Sequence, residues 1–252
     1  MIDIAELKQH IVFQDTLGGV VRIPDWLPRS YEIFRAHLLH KAYPCYLGSA
    51  AEKQGDLLLT YIEGNDCEHL PNTLSTFLAF SAAHLERLHL LSIFYEPEKE
   101  PQSHEYYAAR FWGLLQFLHD KDPQPWPAEY PTDPQDPLWE FTFDRTPAFV
   151  FATAPSYQHR KSRNLGPGLI VLFQPRGVFR DIEGNTPAGM KTRKIIRGRL
   201  EAWDGMTPHP DLGSYGDPSN NEWKQYVLPD DNTQVLGTCP LTIKSPLPIE
   251  TQ

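Results

Sequence analysis

The stretch DLLLTYIEGNDCEHLPNTLSTFLAFSAAHLERLHLLSIFYE, residues 56–96, decides the fold class. It begins with the β-rich run 56–63, whose bounding glycines mark it as a short strand. The pattern of residues 72–89 predicts a helix, and residues 90–96 form a second β-rich run. Because a strand, a helix and a strand follow one another, the stretch predicts two sheet strands joined by a helix.

Outward from this stretch, similar patterns predict three more helices and three more strands. The helices are predicted over 30–41, 103–122 and 186–203, and the strands over 138–143, 148–154 and 168–174. Ser30, Ser103 and Thr186 stand at the helix starts, where their side chains can cap free backbone N–H groups. Strands and helices alternate in the first half, whereas two strands follow each other later, so we expect a mixed sheet.

These elements predict a single domain over 1–252 of class α+β, or α/β, with about five strands flanked by helices. The core is expected over about 30–241, and residues 242–252 are expected to form a flexible tail. The 24 prolines indicate long ordered loops. The Pro-rich loop 123–137 contains Trp126 and Tyr130, which a mere spacer would not need, and the loop 209–232 has three aromatic residues among turn formers. Long ordered loops are often functional, so we expect the function to reside in loops.

The composition argues against several classes of protein. A formal net charge of −9 argues against nucleic-acid binding, which needs a surplus of Lys and Arg. Three scattered cysteines are too few for a disulfide framework. The N-terminal residues lack the pattern of a signal peptide, and no run approaches the roughly 18 apolar residues of a membrane span. We therefore expect a cytoplasmic protein that binds neither nucleic acid nor membrane, while the oligomeric state stays open.

Five motifs follow one another along the chain. They are FWGLLQFLHDKDPQPWPAEYPTDPQDPLWEFTF (111–143), HRKSR (159–163), FQPRGVF (173–179), TPAG (186–189) and HPDLGSYGDPSNNEWKQYVLPDD (209–231). Together these motifs resemble the YqcI/YcgG family, and the resemblance extends over about residues 40–241. The chain has Tyr43 and Leu241 where the family pattern has phenylalanine beside the Pro-Cys and Cys-Pro pairs, and both changes are conservative.

The family includes haem-dependent N-hydroxylases that act on guanidine groups of arginine and arginine-like amino acids, in guanitoxin and D-cycloserine biosynthesis. The resemblance therefore implies a haem-dependent monooxygenase that N-hydroxylates a small-molecule guanidine substrate. It also implies haem b as the cofactor and O2 as the co-substrate. An external reductant would supply electrons, since no GxGxxG or P-loop signature is present. The alternatives are a haem-binding or sensing protein without oxygenase activity, and a haem-free interaction protein.

Two residues compete as the axial ligand of the haem iron. By itself Cys45, in KAYPCYLGSA (41–50), would be a small buried apolar residue, as most free cysteines are. With the resemblance, Cys45 becomes the favoured ligand, because a thiolate pushes electron density onto the iron and favours O–O cleavage. His159 is the alternative, since imidazole is the other common proximal ligand. Cys67 and Cys239 rank lower.

Several charged residues are candidates for binding the cofactor or the substrate. Arg160 and Arg163 could pair with the haem propionates, because a guanidinium presents a planar fork to a carboxylate. Arg176 could take a propionate or a substrate carboxylate. A guanidinium substrate needs a buried carboxylate, for which Glu140 is the first candidate and Glu222 the second. Glu140 could equally form a salt bridge to a structural arginine.

Overall fold

A mixed β-sheet forms the centre of this computed structural model, which describes residues 3–13, 16–17, 22–183 and 186–243. The strands are β1 (Val12–Phe13), β2 (Thr16–Leu17), β3 (Leu57–Ile62), β4 (Leu90–Tyr95), β5 (Thr142–Phe143), β6 (Thr146–Thr153) and β7 (Ile170–Pro175). The α-helices are α1 (Ile4–Gln9), α2 (Leu27–Leu39), α3 (Tyr46–Gln54), α4 (Leu70–Ala83), α5 (His104–Asp120) and α6 (Pro187–Asp204). Together they make one mixed α+β domain, as predicted.

The main sheet has five strands in the order β3-β4-β7-β6-β5, while β1 and β2 pair separately. β3 and β4 are parallel, with Leu57 opposite Leu90, and α4 lies between them in the chain. The remaining pairs are antiparallel. All six residues of β3 and of β4 are buried, which explains their uninterrupted apolar runs. The strand–helix–strand unit predicted from residues 56–96 is confirmed.

Helices cover both faces of the sheet. Successive residues of a strand point to opposite faces, so Ile93 and Phe94 of β4 belong to two different apolar cores. The core that contains Ile93 also contains Phe77 of α4 and Phe111 of α5. In the other core, the ring centroid of Phe94 lies 5.3 Å from that of Phe34 in α2. The sheet is therefore the middle layer of the molecule.

Two predicted helices begin and end differently from the prediction. α2 begins at Leu27 rather than at residue 30, since Pro28 occupies the first turn, where its missing N–H costs nothing. Ser30 consequently lies buried inside the helix and does not cap it. α4 likewise begins at Leu70 with a proline in its first turn, and it ends at Ala83, six residues before the predicted end.

Two elements of the structure differ from the prediction in type or extent: one predicted strand is much shorter, and one helix was not predicted. The strand predicted over 138–143 is reduced to β5: the N–H of Ala148 still donates to the carbonyl oxygen of Phe141, but the N–H of Phe141 donates to the Tyr226 hydroxyl and not to β6. α3 is a helix that the sequence analysis did not predict. Cys45 caps its start, and Gly55 ends it with a φ of 72°, a left-handed conformation that glycine adopts without strain.

The chain from residue 205 to 243 is almost entirely loop, with one 3-10 turn at Glu222–Gln225. It is held against the sheet, since the N–H of Ala152 in β6 donates to the carbonyl oxygen of Tyr226. The N–H of Thr242 also donates to Gln116 of α5. Beyond residue 243, the predicted tail lies outside the described residues. None of the helices in the described part of the chain is long and apolar enough to cross a membrane.

Candidate functional site

Cys45 stands at the N-terminus of α3, where its side chain is the N-cap. The backbone N–H of Gly48 donates to the Cys45 Sγ at 3.3 Å. Burial raises the pKa of the Cys45 thiol, while the N–H groups of Gly48 and Leu47 act in the opposite direction. Burial outweighs these N–H groups, so the thiol is protonated in the absence of a ligand, and the two N–H groups would stabilise the sulfur if its proton were displaced.

Cys45 lines a cavity of about 240 Å³ that α3, β6 and α6 enclose. We call it the cysteine cavity. Its wall is mainly apolar and includes Leu47, Phe151 and Leu200. A concave apolar wall with a few polar groups is the usual environment of a bound cofactor or other small molecule.

Two buried arginines also stand in the wall of the cysteine cavity. Arg163 donates to the carbonyl oxygens of Ala152 and Gln225, both at 3.1 Å. Arg160 donates to backbone carbonyl oxygens and, at 3.0 Å, to the side-chain oxygen of Asn232. Burial lowers the pKa of both guanidinium groups. Among the residues that the structure describes, no carboxylate forms an ion pair with either guanidinium, although the negative charge of Asp204 partly offsets the lowering of both pKa values.

His159 lies outside the cysteine cavity. Its side chain is 77% exposed, and its Nδ1 lies 3.0 Å from Oδ2 of Asp230. Cys67 and Cys239 do not line the cavity either. The structure thus brings Cys45 together with the two neighbouring arginines of the HRKSR motif and leaves the histidine of that motif in solvent.

A second cavity, of about 250 Å³, adjoins the first, and we call it the charged cavity. The two cavities share six apolar wall residues: Leu47, Phe149, Phe179, Ile196, Leu200 and Leu212. The charged residues that line only this cavity are Arg176, Glu183 and Glu222, and Arg193 and Arg197 of α6. A molecule in the charged cavity would therefore lie beside a molecule in the cysteine cavity.

Glu140, Arg176 and Glu222 form a buried cluster at the charged cavity. The Nε of Arg176 donates to Oε2 of Glu140 at 2.8 Å, and its Nη2 contacts the other oxygen of the same carboxylate. Nη2 also donates to Oε1 of Glu222 at 3.2 Å. Glu140 has no exposed surface and does not line the cavity. Of the two possibilities that the sequence left open for Glu140, the structure contains the salt bridge to an arginine of the protein.

The cluster has two carboxylates but only one guanidinium. Burial raises the pKa of Glu140 to about 8, although Arg176 acts in the opposite direction. Burial likewise raises the pKa of Glu222, whose Oε2 accepts hydrogen bonds from the side chains of Asn220 and Gln225 at 3.1 and 3.0 Å. With both carboxylates ionised, one negative charge is left uncompensated within the cluster. A cationic group in the charged cavity would compensate it.

Aromatic and basic side chains complete the charged cavity. The Cζ of Arg176 lies 3.9 Å from the ring centroid of Tyr215 and 5.3 Å from that of Phe179, so stacking helps to fix its plane. The sequence analysis did not select Tyr215, Arg193 or Arg197. The spacing of the two arginines, four residues apart on a predicted helix, was a signal that they share one face.

The residues present fit a haem in the cysteine cavity. Among the described residues, no three His, Cys, Asp or Glu side chains come together in a way that could hold a metal ion. A haem iron, however, needs only an axial ligand from the protein, and Cys45 can supply a thiolate. The apolar wall matches a porphyrin, and Arg160 and Arg163 are buried cations that propionates could pair with.

Comparison with known proteins agrees with the motifs. The model of the YqcI/YcgG family matches residues 34–242, which include every residue of the two cavities named above. The chain belongs to the YqcI/YcgG family.

Three relatives cover most of the chain. Two of them are the Bacillus subtilis (strain 168) proteins named "Uncharacterized protein YcgG" and "Uncharacterized protein YqcI". YcgG is 36% identical over 228 residues, 87% of this chain and 89% of YcgG. YqcI is 34% identical over 226 residues, 86% of this chain and 88% of YqcI. A protein of Streptomyces lavendulae named "Putative N(omega)-hydroxy-L-arginine synthase DcsA" is 33% identical over 248 residues, 95% of this chain and 91% of DcsA. No solved structure matches the chain.

Proposed function

We propose that the protein is a haem-dependent monooxygenase that N-hydroxylates the guanidine group of arginine or of an arginine-like amino acid. One observation carries the proposal: a cavity with a capped cysteine adjoins a cavity at which two buried carboxylates share a single guanidinium. The first cavity suits a thiolate-bound cofactor, and the second suits a cation. The name of the relative DcsA, which refers to hydroxylation of arginine, supports the same reaction.

The cysteine cavity would hold haem b. The Cys45 sulfur would bind its iron, and Gly48 would keep donating its N–H to that sulfur. Arg160 and Arg163 would pair with the propionates, since neither has a carboxylate partner among the described residues. When bound, the haem would supply the activation of O2, which a thiolate ligand favours.

The charged cavity would hold the amino acid. A guanidinium beside Glu222 would compensate the negative excess of the cluster and form charge-assisted hydrogen bonds. Arg193 and Arg197 would attract the α-carboxylate, because they line the same cavity. Glu140 does not touch the cavity, so we assign it the positioning of Arg176 rather than contact with substrate.

Glu222 is also placed to move a proton. Hydroxylation replaces a guanidinium N–H by an N–OH group, so a carboxyl within hydrogen-bond reach can accept the proton that leaves nitrogen and return it to the new oxygen. Glu222 lines the cavity, and burial raises the pKa of its carboxyl, so Oε1 can take that proton. Its Oε2 is held by Asn220 and Gln225, which fixes the orientation of the group.

The test uses protein reconstituted with haemin. We expect a stoichiometric Soret band, and we expect L-arginine to perturb it. L-citrulline, in which a neutral ureido group replaces the guanidinium, should perturb it far more weakly. With O2 and a reductant, mass spectrometry should detect arginine with one added oxygen atom on the guanidine. A folded protein without a Soret band would contradict the haem proposal. A Soret band that no guanidine compound perturbs would favour a haem sensor.

A further inference from the structure

The outward side of α6 carries unpaired positive charge. Lys191 and Lys194 are exposed there, and the side chains of Met190 and Ile195 beside them are 55% and 42% exposed. We call these four residues the α6 outer face. In the part of the chain that the structure describes, no carboxylate lies within ion-pair distance of either lysine.

This charge contrasts with the rest of the molecule. Lys191 and Lys194 supply the positive charge of this face, since Arg193 and Arg197 of the same helix line the charged cavity, whereas the whole chain has a formal net charge of −9. Clustered charge of one sign raises the local concentration of oppositely charged partners and speeds their association. Exposed methionine and isoleucine beside the charges add apolar surface of the kind found at the centre of protein interfaces.

The opposite side of α6 lies against the proposed active site. Ile196 and Leu200 belong to the wall shared by both cavities. An α-helix with its side chains is about 10–12 Å across, so a partner on the outer face would lie one helix width from the cavities. Electrons can cross such a distance through protein.

We propose that the α6 outer face docks an acidic one-electron carrier protein, which delivers the electrons for the reaction. The inference rests on the proposed function. Hydroxylation by O2 consumes two electrons and two protons: one oxygen atom enters the N–O bond, and the other leaves as water. The carrier is the species oxidised, and it supplies the two electrons one at a time.

The outer face suits an acidic protein better than a membrane or a nucleic acid. A membrane-surface helix buries a continuous apolar side in the lipid, whereas the apolar side of α6 already packs against the cavities. Nucleic-acid affinity depends on several phosphate contacts from Lys and Arg, whereas this face offers two lysines.

Direct binding tests the proposal. The haem-reconstituted protein is titrated with an acidic plant-type [2Fe–2S] ferredoxin and with a flavodoxin, by calorimetry at several salt concentrations. We expect binding of at least one carrier that weakens as salt rises. The double variant Lys191→Glu/Lys194→Glu should weaken it about tenfold or more, because like charges then face each other. The matched control is Lys53→Glu/Lys99→Glu, which reverses two exposed lysines elsewhere and should leave binding nearly unchanged.

Reduction gives a second measurement. The rate at which the carrier reduces the haem should fall in the α6 double variant, while the rate with dithionite should not change. Equal loss of binding in both double variants, or binding of neither carrier by the wild type, would overturn the docking proposal. Binding to phosphatidylserine vesicles in place of the carriers would also overturn it. If dithionite still supports arginine hydroxylation in those cases, the proposed function stands alone. If the carrier binds through α6 but haemin does not bind, the proposed function fails instead.

Discussion

At the scale of single residues, the Cys45 sulfur would serve both the fold and the cofactor. It accepts the N–H of Gly48 as the N-cap of α3, and it lines the cysteine cavity. Serine is among the preferred N-cap residues and can keep that hydrogen bond. A serine hydroxyl, however, is not a thiolate ligand. Cys45→Ser therefore separates the structural role from the proposed ligation.

We expect Cys45→Ser to fold as the wild type does but to lose the carbon monoxide band of a thiolate-bound ferrous haem. That band lies at a longer wavelength than the band of a histidine-bound haem, so the absorption spectrum distinguishes the two ligands. Cys67→Ser is the matched control, since Cys67 is also partly buried but lines neither cavity. His159→Ala should keep the band. Loss of haem in His159→Ala alone would make His159 the ligand.

The sequence could select some of these residues and not others. Cys45 and Glu222 could be selected because their residue types and motifs were informative without coordinates. The exposure of His159 could not be predicted, since it depends on a contact with Asp230, 71 residues away. The place of Arg197 in a cavity wall depends on how α6 lies against the sheet, which no local pattern encodes.

At the scale of elements, the long segments with a clear hydrophobic pattern were predicted correctly, and the short ones were not. The strand–helix–strand unit of β3, α4 and β4 was predicted because each of its elements has a strong pattern of its own. α3 was missed because it has only nine residues and contains Gly48, a poor helix former. In the run 138–143, Leu138 is exposed, residues 139–141 are buried outside any strand, and only residues 142–143 form β5. A run of six residues does not distinguish a buried loop from a strand.

α6 is the element whose loosening should affect binding most. Its predicted cap is confirmed: the Thr186 hydroxyl accepts the N–H of Gly189 at 3.0 Å. Thr186→Ala should cost about 1 kcal/mol of unfolding free energy and weaken arginine binding, because α6 walls both cavities. Ser103→Ala removes the equivalent cap of α5, which lines neither cavity.

Urea denaturation and arginine titration of the two cap variants separate stability from binding. Ser103→Ala should lose a similar amount of unfolding free energy and bind arginine as the wild type does. If both variants weaken binding equally, the effect is one of overall stability, and α6 has no special part in the site.

At the scale of the whole molecule, the buried cluster couples stability to pH. Burial raises the pKa of both carboxyls, that of Glu140 to about 8, so the folded cluster keeps one proton that the unfolded chain releases above pH of about 4. The stability associated with this proton is fully present below the unfolded pKa. It is lost progressively as the pH rises through about 8, where the uncompensated charge appears. A bound cation should offset that loss.

Arginine binding should therefore release a proton. A guanidinium beside the cluster stabilises the ionised carboxyls, so the affinity for arginine should rise between pH 6 and 8 and level off above. Calorimetry in two buffers of different ionisation enthalpy measures the protons released.

Glu222→Gln leaves Glu140 and Arg176 as a neutral pair, so it should abolish the release. It should also weaken binding by about 1.5–3 kcal/mol, or roughly ten- to a hundredfold. Glu129→Gln, at an exposed position outside both cavities, should change neither. An affinity independent of pH, with no proton released, would mean that the cluster does not face the guanidinium.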